Sequence, residues 1–237
     1  MARFFAPLEN IGEKIRITGE DVLHIGKALR MRPGDLLTVC NGEKTDYECV
    51  IEDISKKEIL CKITSQHENI NEPAAEIILF QGIPKGAKME LVIQKCVEIG
   101  VTRFVPFISE RTVAKSFGKN ERWNKISLEA AKQSGRGIIP IVEEPKTFEQ
   151  AVLHLMELDL PILAYEEEKE FALKTVLRGK NPKKIGIMIG PEGGIDKREA
   201  TLARDKGINV VTLGKRILRT ETAGMVVASD IIYEYNL

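Results

Sequence analysis

No apolar run in this 237-residue sequence is long enough to span a bilayer, which excludes a helical membrane protein. Arg3, Pro7 and Glu9 interrupt the first ten residues before the apolar centre of a secretory signal could form, so a cytoplasmic location is expected. Cys40, Cys49, Cys61 and Cys96 include no C-x-x-C pair. That argues against a zinc site or a thioredoxin-like motif, and four small buried thiols with no metal are expected. Low-complexity tracts and long blocks of like charge are also missing, which excludes wholesale disorder. Formal net charge is zero, so the chain taken whole is not the basic polypeptide of a simple nucleic-acid binder.

What is present is ordinary for a protein that buries a core: 43% hydrophobic and 30% charged residues, in a length that suits one or two domains. The charge is unevenly spread. Residues 1–72 carry 10 basic and 13 acidic side chains, a net of −3, whereas residues 85–136 carry 11 basic and 5 acidic, a net of +6. The second segment is a candidate for an anionic partner, or equally a solvated helix face of mixed charge.

The pattern along the chain changes once. Leu36–Cys40, Asp46–Ile54 and Glu58–Thr64 are short, Val/Ile/Thr-rich runs separated by Pro33-Gly34-Asp35, Asn41-Gly42 and Ser55-Lys56-Lys57, and they predict strands. A helix with Thr18 as its N-cap and Val22, Leu23, Ile25 and Leu29 on its apolar side interrupts them. A small β-barrel with one helix fits. The polar stretch Gln66–Ala75 reads as a linker. Afterwards strands and helices alternate. Strands are expected at 76–81, 103–108, 161–165, 185–189 and 208–213. Helices are expected at 85–99, 121–134, from the capping box Thr147-x-x-Gln150, at 171–177, from Asp196-x-x-Glu199, and at 222–235. The run Ile185–Ile189 is apolar enough to be buried on both faces, as in a parallel sheet covered by helices.

Ligands of open parallel sheets bind beyond the carboxyl ends of the strands, and two glycine-bearing turns lie there. In Gly190-Pro191-Glu192-Gly193-Gly194 the glycines let main chain approach a ligand closely. Asp196, just beyond, would repel a phosphate, and neither a Walker A loop nor G-x-G-x-x-G is present. Taken alone the motif is equally a tight strand-to-helix connection. The turn Leu213–Gly224 is harder to explain so plainly. Thr220 or Thr222 can cap the last helix and Glu221 suits its positive end, but the apolar pair Ile217-Leu218 beside Arg216 and Arg219 is costly in a loop unless it lines something.

Several segments together resemble a known family. They are Gly190-Pro191-Glu192-Gly193-Gly194, and Leu213-Gly214-x-Arg216-Ile217-Leu218-Arg219-x-Glu221-Thr222-Ala223. Upstream lie Lys95-x-x-Glu98-x-Gly100-Val101 and Glu129-Ala130-x-x-Gln133-x-Gly135-Arg136-x-x-x-Pro140. Near the start are Arg3-Phe4-Phe5 and His24-x-x-x-x-Leu29-Arg30-Met31-x-x-Gly34-Asp35. Over nearly the whole chain this resembles the bacterial small-subunit ribosomal RNA uridine-N3 methyltransferases, the RsmE type of the SPOUT superfamily. The resemblance implies residues 1–70 as a PUA-like RNA-binding β-barrel. It implies residues 71–237 as an α/β SPOUT-type parallel sheet with a C-terminal trefoil knot, acting as a homodimer.

The same resemblance implies an S-adenosylmethionine pocket of three loops: Ala164, Tyr165 and Glu166; Ile189, Gly190, Pro191, Glu192 and Gly193; and Leu213, Gly214, Ile217, Leu218, Arg219, Thr222 and Ala223. The implied reaction is methyl transfer to N3 of uracil-1498 in 16S ribosomal RNA of the small subunit. The N3 proton must leave, and negative charge then develops on the uracil oxygens. Arg219 stays protonated, so it is a candidate for binding that anion or a nearby phosphate, while Glu221 or Glu192 is a candidate proton acceptor. Candidate RNA contacts are Arg3, Arg30, Lys85, Lys88, Arg111, Lys115, Lys119, Arg122, Lys132, Gln133 and Arg136. Trp123 and Phe117 are expected in packing before base stacking, and His24, His67 and His154 are not expected as catalysts. The competing readings are methylation at another RNA position such as a ribose 2′-OH, a non-catalytic ribosome-assembly protein, and a nucleotide-dependent α/β enzyme, the last disfavoured by the missing phosphate loops.

Overall fold

The computed structural model describes residues 2–113 and 120–235, so Lys115, Phe117 and Lys119 lie outside the described residues. Packing divides the chain into one unit of residues 1–72 with 131–139, and a second of residues 73–130 with 140–237.

The first unit holds β1 (Ala2–Phe5), β2 (Lys14–Thr18), α1 (Glu20–Leu23, continuing as a wider turn through His24–Ala28), β3 (Leu36–Cys40), β4 (Thr45–Ile54) and β5 (Glu58–Glu68). The sheet order is β1-β3-β4-β5-β2, with β1 parallel to β3 and the other pairs antiparallel. The path leaves β1 and β2 unpaired with each other, so the expected barrel is a curled, open half-barrel. In β2 only Ile15 and Ile17 are buried, the alternation of a sheet with one wet face. They join Phe4, Val22, Ile25, Leu37, Val39, Ile51 and Ile59 in one core. One expectation fails here and one shifts. Thr18 ends β2 and Gly19 stands at the helix cap, without a side-chain bond. The expected linker starts later than Gln66: β5 runs to Glu68 and the buried Asn69 bonds Asp46 at 2.8 Å, while residues 69–75 lie in no helix or strand and contain the boundary between the two units.

The second unit contains β6 (Glu76–Gly82), α2 (Lys88–Ile99), β7 (Arg103–Ile108), α3 (Asn120–Ser134, whose last residues count with the first unit), β8 (Ile141–Val142) and β9 (Lys146–Thr147). It continues with α4 (Phe148–Leu155), β10 (Leu160–Ala164), α5 (Leu173–Leu177), β11 (Lys184–Ile189), α6 (Lys197–Asp205), β12 (Asn209–Val211) and α7 (Thr220–Tyr235). The seven strands form a parallel sheet of order β12-β10-β11-β6-β7-β8, with β9 beside β7. Capping boxes open α4 at Thr147 and α6 at Asp196, as their sequences predict.

Five of the six residues of β11 and six of the seven of β6 are buried, because helices cover both faces. Ile78 and Phe80 pack with α4 and α6 in one core, while Leu79 and Gln81, one residue out of phase, face α7. Burying a phenylalanine such as Phe80 contributes about 1.5–3 kcal/mol. Register then fixes the site: Ala164 lies level with Ile189 on one side and with Val211 on the other. Three strands therefore end together, and the three loops that follow them emerge side by side.

Candidate active site

Those loops enclose a cavity of about 460 Å³, a size that suits a small organic ligand. Ala164, Tyr165, Glu166 and Lys169 form one wall. Ile189, Gly190, Pro191, Glu192, Gly193 and Gly194 form the second, and Thr212 through Glu221, with Ala223, the third. Every residue expected at the pocket lines this cavity except Thr222, which does not contribute because it lies within the first turn of α7, its amide bonded to the Arg219 carbonyl. Thr220, Glu221 and Ala223 take the inward positions.

Glycine is needed here for close approach. A Cβ on Gly82 would lie 2.5 Å from both the ring and the nitrogen of Pro191. Gly194 has a φ of +73°, which disfavours any side chain, and bonds back to the Pro191 carbonyl at 2.9 Å. The turn is braced from outside by Arg111, which donates to the Gly193 carbonyl at 3.4 Å and to Asp196 at 3.1 Å. Ile217 is 81% exposed and Leu218 half-buried, so the apolar pair of the third loop lines the cavity without a core to cover it.

Charge gathers at one end. Lys88, at the start of α2, donates to Glu192 at 2.9 Å and lies 3.7 Å from Glu221. Burial favours the neutral form of Glu192, but Lys88 and the Lys85 amide outweigh it and hold the carboxyl below its ordinary range; Glu192 in turn raises Lys88. The Glu221 side chain is 14% exposed and its Oε2 has no hydrogen-bond partner. Arg219 is exposed at the rim of the cavity. Burial first, and the Glu167 carboxylate second, push the Tyr165 hydroxyl up to about 12, so it stays protonated.

The basic candidates part company. Arg3 makes a two-pronged pair with Asp46 at 2.6 and 2.8 Å and caps the Arg136 carbonyl at 2.8 Å. Arg136 is 2% exposed and paired with Glu72 at 2.7 Å. Both were expected on an RNA surface; both are interior braces of the first unit, with their donors turned to carboxylates. Lys132 is held by Asp21 at 2.8 Å, Arg122 by Glu90 at 2.8 Å, and Lys88 and Arg111 by the cavity groups above. Arg30, Lys85 and Gln133 are exposed.

Trp123 is buried in packing, and His154 packs edge-on against Phe80, away from the cavity lining. All four cysteines are buried and unpaired. Among the described residues no three His, Cys, Asp or Glu side chains are grouped to hold a metal, and no helix is long and apolar enough to cross a membrane. The sequence reading missed the fully buried Gln81, which donates at 2.8 Å to Thr220, whose hydroxyl in turn donates to the Gly190 carbonyl at 2.6 Å. The local signal is a polar residue that follows the apolar run Ile77–Phe80 of β6.

A family model described as an RNA methyltransferase domain matches residues 71–232, and one described as an RNA methyltransferase PUA domain matches residues 17–64. The chain is 34% identical over 251 residues to the Ribosomal RNA small subunit methyltransferase E of Bacillus subtilis, covering 100% of this chain and 98% of the relative. It is 34% identical over 231 residues to the protein of the same name from Synechocystis, covering 95% and 75%. The crystal structure of a Ribosomal RNA small subunit methyltransferase E from Neisseria gonorrhoeae, bound to S-adenosyl methionine, superposes with a TM-score of 0.86 at 31% identity, covering 98% of this chain and 97% of that one.

Proposed function

From the premise that this chain belongs to the RNA methyltransferase family that includes the ribosomal RNA small subunit methyltransferases E, we propose that it methylates N3 of one uridine, uracil-1498, in 16S ribosomal RNA of the small subunit. The observation that carries the reading is the three-loop cavity at level strand ends. Its chemistry fits S-adenosylmethionine. The apolar Ile217 and Leu218 suit the face of an adenine, and the glycine-bearing turns offer main-chain donors and acceptors to its edge. Both signs of charge line the cavity, with Glu166, Glu192 and Glu221 alongside Lys88, Lys169, Lys215, Arg216 and Arg219, which suits a ligand that carries cationic groups and a carboxylate. When bound, S-adenosylmethionine supplies an electrophilic methyl group.

The protein's own groups handle the uridine. Arg219, always charged, offers a fixed fork of donors to the uracil oxygen on which negative charge develops. Glu221 accepts the N3 proton: Glu192 already receives Lys88 and the Lys85 amide, whereas Glu221 keeps an oxygen without a hydrogen bond. Lys88 Nζ lies 3.7 Å from that oxygen, too far for a hydrogen bond, so the oxygen is left to the substrate. Among the RNA-contact candidates the exposed Arg30, Lys85 and Gln133 meet the ribosomal RNA, with residues 1–70 as the PUA-like RNA-binding part and 71–237 as the transferase. The trefoil knot of the C-terminal segment, the homodimer and a cytoplasmic location come with the family reading. The test is incubation of small subunits lacking this methyl group with labelled S-adenosylmethionine: label in 16S RNA supports the reading, and none overturns it in favour of a non-catalytic assembly role.

A further inference from the structure

Gln81 is a buried polar side chain that the proposed chemistry leaves unused. It is fully enclosed at the end of β6, on the face toward α7, and does not line the cavity. Its amide nitrogen has two hydrogens, one bonded to the Gly82 carbonyl at 3.0 Å and the other to Thr220 Oγ1 at 2.8 Å. The contact with Gly82 fixes the orientation of the amide, because a flipped side chain would set two carbonyl oxygens against each other. Having accepted from Gln81, the Thr220 hydroxyl gives its single proton to the Gly190 carbonyl at 2.6 Å. The chain of donors therefore has one direction, from Gln81 to Thr220 to Gly190.

Its two outer members belong to different walls of the cavity. Gly190 opens the second loop, and Thr220 is where the third loop becomes α7. We infer that Gln81 is a positioning residue that locks these two walls at the spacing the ligand requires, acting through Thr220 and touching neither ligand nor uridine. The inference rests on the reading of this cavity as the S-adenosylmethionine site.

Stability alone does not ask for an amide here. The Gln81 carbonyl oxygen is buried without a partner, beneath Gly224 of α7, and an unpaired buried acceptor is destabilising. A methionine of similar length would fill the space and remove that penalty.

Gln81→Met is therefore the test, read first without ligand. Its melting temperature should stay close to that of the unaltered protein, because relief of the unpaired Gln81 oxygen offsets the bonds lost at the Gly82 carbonyl and Thr220, while amide hydrogen exchange accelerates at residues 190, 192–194 and 220–223 and nowhere else. Calorimetric affinity for S-adenosylmethionine should fall by about threefold to tenfold, the worth of one neutral hydrogen bond. Thr220→Val breaks the chain from its other end and should do the same, and the double variant should be no weaker than Thr220→Val alone, because the two act in series. Unchanged exchange and affinity in both single variants, or losses that add in the double variant, would overturn the inference. If the unaltered protein bound no S-adenosylmethionine, the cofactor reading would fail instead, and the exchange rates of the ligand-free variants would still decide whether the clamp exists.

Discussion

Replacing Gly82 by alanine tests whether the strand ends set the position of the cofactor loop. The added methyl would lie 2.5 Å from Pro191 Cδ and 2.5 Å from its nitrogen, where ordinary contacts begin at 3.4 Å, so something must move by about 0.9 Å. Gly82 is held in the sheet opposite Phe107 and cannot retreat, and the group it meets is a ring fused to backbone. The Gly190-Pro191 turn must move outward. Overpacking of this kind costs about 1–3 kcal/mol, which would lower the melting temperature by roughly 2–4 °C per kcal/mol for a chain of this size. A displacement near 1 Å at a site can cost on the order of 100-fold in rate. We expect calorimetry to show S-adenosylmethionine affinity reduced at least about tenfold, the equivalent of 1.4 kcal/mol, with near-native circular dichroism. Gly12→Ala, where the new methyl meets nothing within 4 Å, is the control. Native affinity and melting temperature in Gly82→Ala would refute the claim that this contact sets the turn.

The remaining predictions concern catalysis, pH and RNA contact. Arg219→Ala should lower kcat by about 10²–10³-fold with melting unchanged, the usual effect of losing one donor to a developing anion, and Arg219→Lys should recover only part because an ammonium lacks the planar fork; steady-state kinetics decide it. Asp46 and Glu72 both have folded pKa values below their ordinary 3.8 and 4.5: burial alone would raise them, and Arg3 with Asn69, and Arg136, outweigh it. The stability they contribute is full above those ordinary values and is lost as pH falls toward the depressed ones, so denaturant midpoints should be level above about pH 5 and decline below pH 4. Binding to small subunits should weaken steeply with salt, and a flat response would refute the phosphate contacts assigned to Arg30 and Lys85.

Local patterns were legible in the sequence. Two capping boxes, an apolar run at β11 and glycine turns after β11 and β12 each depend on a few neighbouring residues, and they pointed to the helices, the parallel sheet and two candidate ligand turns, while the full set of three cavity loops followed from the family resemblance. Pairings across long separations were not. Arg136 sits in a segment of net charge +6 and looked like RNA-facing surface, yet its partner Glu72 lies 64 residues away, and a charge count does not show who pairs with whom. β1 went unread because a four-residue strand parallel to β3 has too little alternation to announce itself, whereas β2 went unread although Ile15 and Ile17 alternate with polar neighbours. The Gln81–Thr220 bond, which joins residues 139 apart, is visible only once β6 and α7 have packed.

The central claim is tested most directly by locating the transferred methyl. Small subunits lacking the modification are incubated with the protein and isotopically labelled S-adenosylmethionine, and the 16S RNA is digested and its nucleosides separated by mass. We predict a single labelled product, uridine methylated at N3, in the fragment that contains uracil-1498. Label on a ribose hydroxyl, or on a different base, would contradict the account.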